Sequence, residues 1–219
     1  MTLIYPQKLS ILSISTRWHS KEQKSWFCGY HILCADWDGL ENWTFHDGHH
    51  VGFGLESTHL KLKSLGKRLD PERHLVGFQL SSDVHKLCHH ARLASHPEMM
   101  LEFAEKLAAC LENCTDLADQ FGGHAADIHA MAALRNDVFF KLNPADEELG
   151  WESPEGQDPR QVGRYLRDRN AFLWFSLLRL TLNEQQISQA LAAYFDWFYD
   201  KWPLDPLRGK LPPIGPKSR

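Results

Sequence analysis

PRQVGRYLRDRNAFLWFSLLRLTLNEQQISQALAAYFDWFYDKW, residues 159–202, carries apolar side chains at helical spacing along its whole length. Val162, Leu166, Leu173, Leu177 and Leu180 form one stripe, interrupted by Arg169; Ile187, Leu191, Tyr194, Phe198 and Trp202 form a second. Two stripes in succession predict a helical hairpin. Thr181 followed by Glu184 has the spacing of a capping box that would open the second helix, and Pro203 would close it. The segment also holds Phe172, Trp174, Phe175, Phe195, Trp197 and Tyr199, more aromatic area than two helices bury between their own faces. The rest of the chain, a partner or a ligand must cover the remainder.

Working upstream, the 3.6-residue period persists back to residue 83. Residues 83–93 predict a short helix. Ser95 with Glu98 is a second capping-box spacing, with Pro97 in the first turn of a helix whose face runs through Met100, Phe103, Leu107, Leu111, Cys114, Ala118 and Phe121 and stops at Gly122-Gly123. Residues 124–140 carry a weaker stripe, 143–159 form a loop rich in prolines and carboxylates, and 203–219 predict an extended, Pro-rich basic tail.

Residues 1–80 instead favour strands. Leu9, Ile11 and, after a doublet at Leu12, Ile14 alternate with small polar residues, and the run 26–34 is a block of strand formers ended by residues 36–39. Residues 43–45 and 51–55 flank His46-Asp47-Gly48, where Asp-Gly signals a hairpin turn. Residues 75–80 follow the Asp70-Pro71 breaker. The expected class is α+β: a mostly antiparallel N-terminal sheet of four or five strands, about residues 1–80, packed with a helical bundle over 81–202 in one cooperative body.

Composition narrows the function classes. Hydrophobic residues at 43% and charged residues at 24% fit a globular chain. A net charge of −4 and a pI of about 6.3 are a poor footprint for wrapping duplex nucleic acid. The apolar run 171–178 is too short to span a membrane, and the N-terminal residues lack the order of a signal peptide. Five cysteines, an odd number without a disulfide framework, point to a reducing, cytoplasmic setting.

Of the thirteen histidines, eight cluster in three places. His46, Asp47, His49 and His50 sit on the expected hairpin turn; His85, Cys88, His89 and His90 on the short helix; His124, Asp127 and His129 downstream. His85 and His89, four apart, would share a helix face with Cys88 beside them, so His46, Asp47, His85, Cys88 and His89 are the candidate ligands for a divalent transition metal that activates water. The alternative is a set of surface or hydrogen-bonded histidines, since no group has a complete four-ligand spacing. There is no Gly-x-Ser-x-Gly elbow, phosphate loop or dinucleotide fingerprint. Lys61, Lys63, Lys67, Arg68 and Arg73 crowd one stretch, and Arg160, Arg164 and Arg167 share a helical face near Tyr165 and Trp174. The latter five form a candidate partner-binding surface, with guanidinium groups for acidic groups or phosphates and aromatics for stacking. The alternative is a solvated face paired with the acidic loop. Two functions follow as expectations: a non-catalytic binding or adaptor protein for a macromolecular partner, a protein before a nucleic acid, or a metal-dependent hydrolase of the nuclease or phosphoesterase kind.

Overall fold

The computed structural model describes residues 4–19, 24–52, 58–93, 97–120 and 159–202. Three long strands come first: β1 (Lys8–His19), β2 (Lys24–Trp37) and β3 (Trp43–Val51). In β1, Leu9 and Ile11 enter one core while Leu12 and Ile14 enter another. The apparent doublet is therefore unbroken alternation with both faces buried, the pattern of a central strand. Helix α1 (Thr58–Gly66) precedes β4 (His74–Gly77), then come α2 (Leu80–Leu93), α3 (Pro97–Leu111), β5 (Cys114–Asp116) and a single turn, α4 (Leu117–Gln120). The hairpin is α5 (Pro159–Thr181) and α6 (Glu184–Lys201).

The strand order is β3-β2-β1-β4-β5. β1, β2 and β3 pair antiparallel, whereas β4 joins β1 and β5 joins β4 in parallel. The α+β class stands, with a mixed sheet: helices intervene before β4 and β5, which leaves room for the long crossover a parallel pair needs. One face of the sheet, with Leu12, Tyr30, Ile32 and Cys34, packs on α1, α2 and α3. The other face, with Ile11, Leu33, Trp43 and Phe45, packs on α5 and α6. Every residue of α5 from 170 to 178 is buried. The sheet is thus a cover for the aromatic surplus: Phe45 meets Trp174 and Tyr194 edge-on at 5.2 and 5.4 Å, and Trp174 tilts onto Tyr194 at 5.0 Å.

Several local expectations are corrected. Asp47-Gly48 is not a turn: β3 runs straight through it, paired with β2 from Trp37↔Trp43 to Gly29↔Val51. The turn lies earlier, where Asp38 accepts hydrogen bonds from the Leu40 and Asn42 amides, Gly39 adopts φ +86°, and Trp37 stacks on Trp43 at 5.3 Å. The helix expected to run through Phe121 ends at Leu111, because Cys114, Thr115 and Asp116 pair with β4 instead. The cap of α6 is Asn183, whose side chain accepts from Gln186 N while Gln186 Oε1 accepts from Asn183 N; Thr181 donates back to Leu177 O. The expected stripe at 124–140, the loop at 143–158 and the tail at 203–219 lie outside the described residues.

Leu177 and Phe198 are both buried in the hairpin core. Leu177→Ala and Phe198→Ala should each lower unfolding free energy by about 2–5 kcal/mol. Urea denaturation checks this, and values within a few tenths of wild type would mean that these faces are not packed as described.

Candidate functional site

Between the end of α1 and the start of β4, residues 67–73 fold over the outer part of the sheet and leave a cleft of about 400 Å³. The local sequence explains the shape. Leu69 is anchored in the core, and Asp70-Pro71-Glu72-Arg73 closes a turn in which Arg73 N donates to Asp70 O and Glu72 N to Asp70 Oδ1. Ile32 and Cys34 of β2 line the cleft with Leu69; His46 and Gly48 of β3 and Lys67, Arg68, Asp70 and Arg73 complete it. Alternation along β3 sends the side chain of Asp47 to the other face, so only its backbone belongs here.

Arg73 is fixed. Its Nε donates to Leu9 O and Ser10 Oγ, and its Nη2 to Leu9 O at 2.9 Å and to the Asp36 carboxylate. Arg68 lies against Gly48 so closely that a Cβ there would fall 2.2–2.4 Å from its guanidinium. Glycine leaves the space that this guanidinium fills. Among the described residues the side chains of Lys67 and Arg68 have no hydrogen-bond or ion-pair partner. Cys34 faces His46 in strand register. Burial pushes the Cys34 thiol up, against the lowering effect of its contact with Ser10 Oγ at 3.4 Å and of Arg73. Partial burial, then the charge of Arg73, holds His46 below its ordinary value. A protonated thiol beside a neutral imidazole is a weak nucleophile.

On the opposite face lies a buried polar seam. His31, only 2% exposed, has Nε2 3.2 Å from Asp47 Oδ2 and Nδ1 2.9 Å from Asn170 Nδ2. Asn170 also donates to Ile11 O at 2.7 Å and His31 O at 2.8 Å, which spends both its amide hydrogens on carbonyls. The consistent tautomer has Nε2–H donating to Asp47. Burial holds His31 below its ordinary value despite the carboxylate. Burial alone would raise the Asp47 carboxyl, but the His31 bond and the Lys201 ammonium outweigh it and hold the group at about 2. Nε2 of His31 is held by Asp47 and Nδ1 lies against the Asn170 amide, a buried setting that fixes the ring in position.

Of the five residues expected on a partner surface, two are exposed and three are buried. Arg160 and Arg164 are exposed, but Trp174 is 0% exposed, with its indole N–H donating to Tyr5 Oη at 3.0 Å, and Tyr165 is buried. Arg167, 9% exposed, lies over the rings of Phe198 and Trp202 at 5.0 and 5.5 Å and reaches Asp168. The three arginines share a helical face, but α6 folds back across only its C-terminal end. The metal set is also dispersed. His46 and Asp47 point to opposite faces of β3, and His85 and His89 are exposed on α2 beside half-buried Cys88. Among the described residues no three His, Cys, Asp or Glu side chains converge as a ligand group. The third cluster lies outside those residues. All five cysteines are free thiols, and no described helix is long and apolar enough to cross a membrane. The amides that open α2, those of Gln79 and Leu80, are already taken by the Asp116 carboxylate.

No family model, curated protein or solved structure matches the chain. Of the cleft residues, Lys67, Arg68 and Arg73 were marked by sequence as a basic crowd, and His46 and Asp47 as candidate metal ligands. The role of Gly48 had no sequence signal beyond a misleading turn motif, because it depends on a side chain twenty residues away.

The seam makes stability pH-dependent in a definite direction. Asp47 titrates near 3.8 ordinarily and at about 2 here, so its contribution is present above about pH 4 and is lost as pH falls through 2. His31 works the same way at higher pH: the unfolded chain takes up a proton below about pH 6.5 that the folded chain resists. Lys201 is 37% exposed, so part of its attraction is screened. Asp47→Asn keeps an acceptor for His31 and should cost about 1–2 kcal/mol at pH 7, with a shallower loss of stability between about pH 4 and 2. Unfolding curves from pH 7 to about 2 measure this; curves for variant and wild type that stay parallel and coincident would remove the charge from the account.

Proposed function

We propose that the protein is a non-catalytic binding module whose recognition element is the cationic cleft between β3 and residues 67–73, receiving an anionic group carried by a protein partner. The observation that carries this is the placement of Arg68 and Lys67: two cations without a side-chain partner among the described residues, beside a third that is rigidly held, in a chain whose net charge is −4. Local charge against the average of the whole molecule is how a discrete anion site differs from a polyanion-binding face. A protein partner fits better than nucleic acid for the same reason, since a long phosphate backbone would meet net repulsion beyond the cleft. The protonated Cys34 thiol and the buried His31, its Nε2 held by Asp47, support binding without bond breaking.

Lys67 and Arg68 are exposed, so reversing both to glutamate should leave the melting temperature within about 2 °C of wild type. In a ¹⁵N-correlation titration at low salt, a six-residue glutamate peptide should shift the amides of Gly48, Arg68 and Asp70 in wild type and leave them unmoved in the double variant. A single-stranded oligonucleotide should bind more weakly at those amides and lose its effect at higher salt. If neither probe moves these amides at low salt, the cleft is not an anion site.

A further inference from the structure

The cleft's interior says more about what it holds than its charge alone. This step rests on the binding reading above and asks which anion the geometry suits. Two cations at the rim, Lys67 and Arg68, lack side-chain partners among the described residues, while Asp36 already pairs with Arg73. Asp70, the carboxylate at the rim, accepts from the Glu72 amide of its own turn. A single carboxylate would satisfy one of the two free cations and leave the other facing solvent. A phosphate monoester carries close to two charges at neutral pH and three terminal oxygens, enough for the fork of an arginine and the point charge of a lysine together.

Below the rim the lining changes character. Ile32, Cys34 and Leu69 are buried and apolar, and the space of about 400 Å³ falls within the range of sites for small organic groups. A bare inorganic anion would leave that floor covered only by water. We infer that the cleft binds a phosphate monoester borne on a small apolar body, with the phosphate between Lys67 and Arg68 and the body over Ile32 and Leu69. The two sources of that chemistry are a free organic phosphate and a phosphorylated side chain of a partner protein. Gly48 is the residue that permits the arrangement, since a methyl there would sit 2.2 Å from Arg68 Nη1 and displace the guanidinium without removing its charge.

Titration calorimetry on the full chain tests this with phenyl phosphate, benzoate, inorganic phosphate, and a phosphotyrosine peptide with its unphosphorylated form. Phenyl phosphate should bind at least tenfold tighter than both benzoate and inorganic phosphate. Gly48→Ala and Arg68→Glu should each weaken it at least tenfold with an unchanged melting temperature; Gly48→Ala separates position from charge. Phosphopeptide tighter than phenyl phosphate supports the monoester with a partner protein as its source, and the reverse order supports it with a small molecule as source. Benzoate binding as tightly as phenyl phosphate overturns the phosphate while leaving the anion cleft standing. Inorganic phosphate binding as tightly overturns the apolar body. No binding by any probe overturns both this inference and the reading it rests on.

Discussion

Nine consecutive residues of α5, 170–178, are buried on every side, and no helix can achieve that against a single neighbour. This requirement organises the molecule. It demands a sheet beneath, supplied by β1, β2 and β3, and a flanking helix that continues the aromatic layer, supplied by α6. Asn170 begins the stretch and is its one strongly polar member. Its amide bonds to Ile11 O and His31 O tie the helix to the two central strands at one point. A buried amide that meets its carbonyls in only one register specifies position as well as contributing stability. Apolar contacts alone would tolerate α5 sliding along its axis.

β3 carries that organisation outward to the cleft. Its side chains alternate between Phe45 and Asp47, which face α5 and α6, and His46 and Gly48, which face residues 67–73. The strand is therefore held from behind by the aromatic layer and by Asp47, which meets both His31 and Lys201. Arg73 performs the matching task from the other side by bonding to carbonyls of β1 and β2. The cleft walls are fixed by the core, and the rim cations Lys67 and Arg68 have no side-chain partner among the described residues.

Much of the architecture was legible where local pattern and tertiary burial agree. The α5–α6 hairpin followed from its stripes, β1 and β2 from their β-branched and aromatic runs, and the turn at Asp70-Pro71 from its composition. The failures have a common cause. Asp47-Gly48 is a strong turn signal by local preference, yet nine residues of cross-strand pairing to β2 outweigh it. Cys114 and Ala118 continue a helical stripe, yet a neighbouring strand edge claims residues 114–116. Helix α1 was missed because its buried positions are Thr58, Lys61, Leu62 and Leu65, and a lysine does not read as core. Lys61 is buried because its ammonium donates to Phe27 O and to Gly52 O at 2.9 Å, partners that no sequence window contains.

The site was less legible than the fold for a related reason. Charge and aromaticity near the hairpin drew attention to Arg160, Arg164, Arg167, Tyr165 and Trp174, but the hairpin's own demand for burial turns Tyr165, Arg167 and Trp174 inward. Residues that satisfy a core are unavailable to a partner. The groups left over are those on the short segment between α1 and β4, where a proline turn buries only Leu69 and Arg73 and leaves Lys67, Arg68 and Asp70 at the surface. Loops held by a rigid scaffold commonly carry recognition because their side chains are released from packing while their backbone is not free to move. Here the release is further enforced by Gly48, whose missing side chain turns a flat strand surface into a seat for a guanidinium.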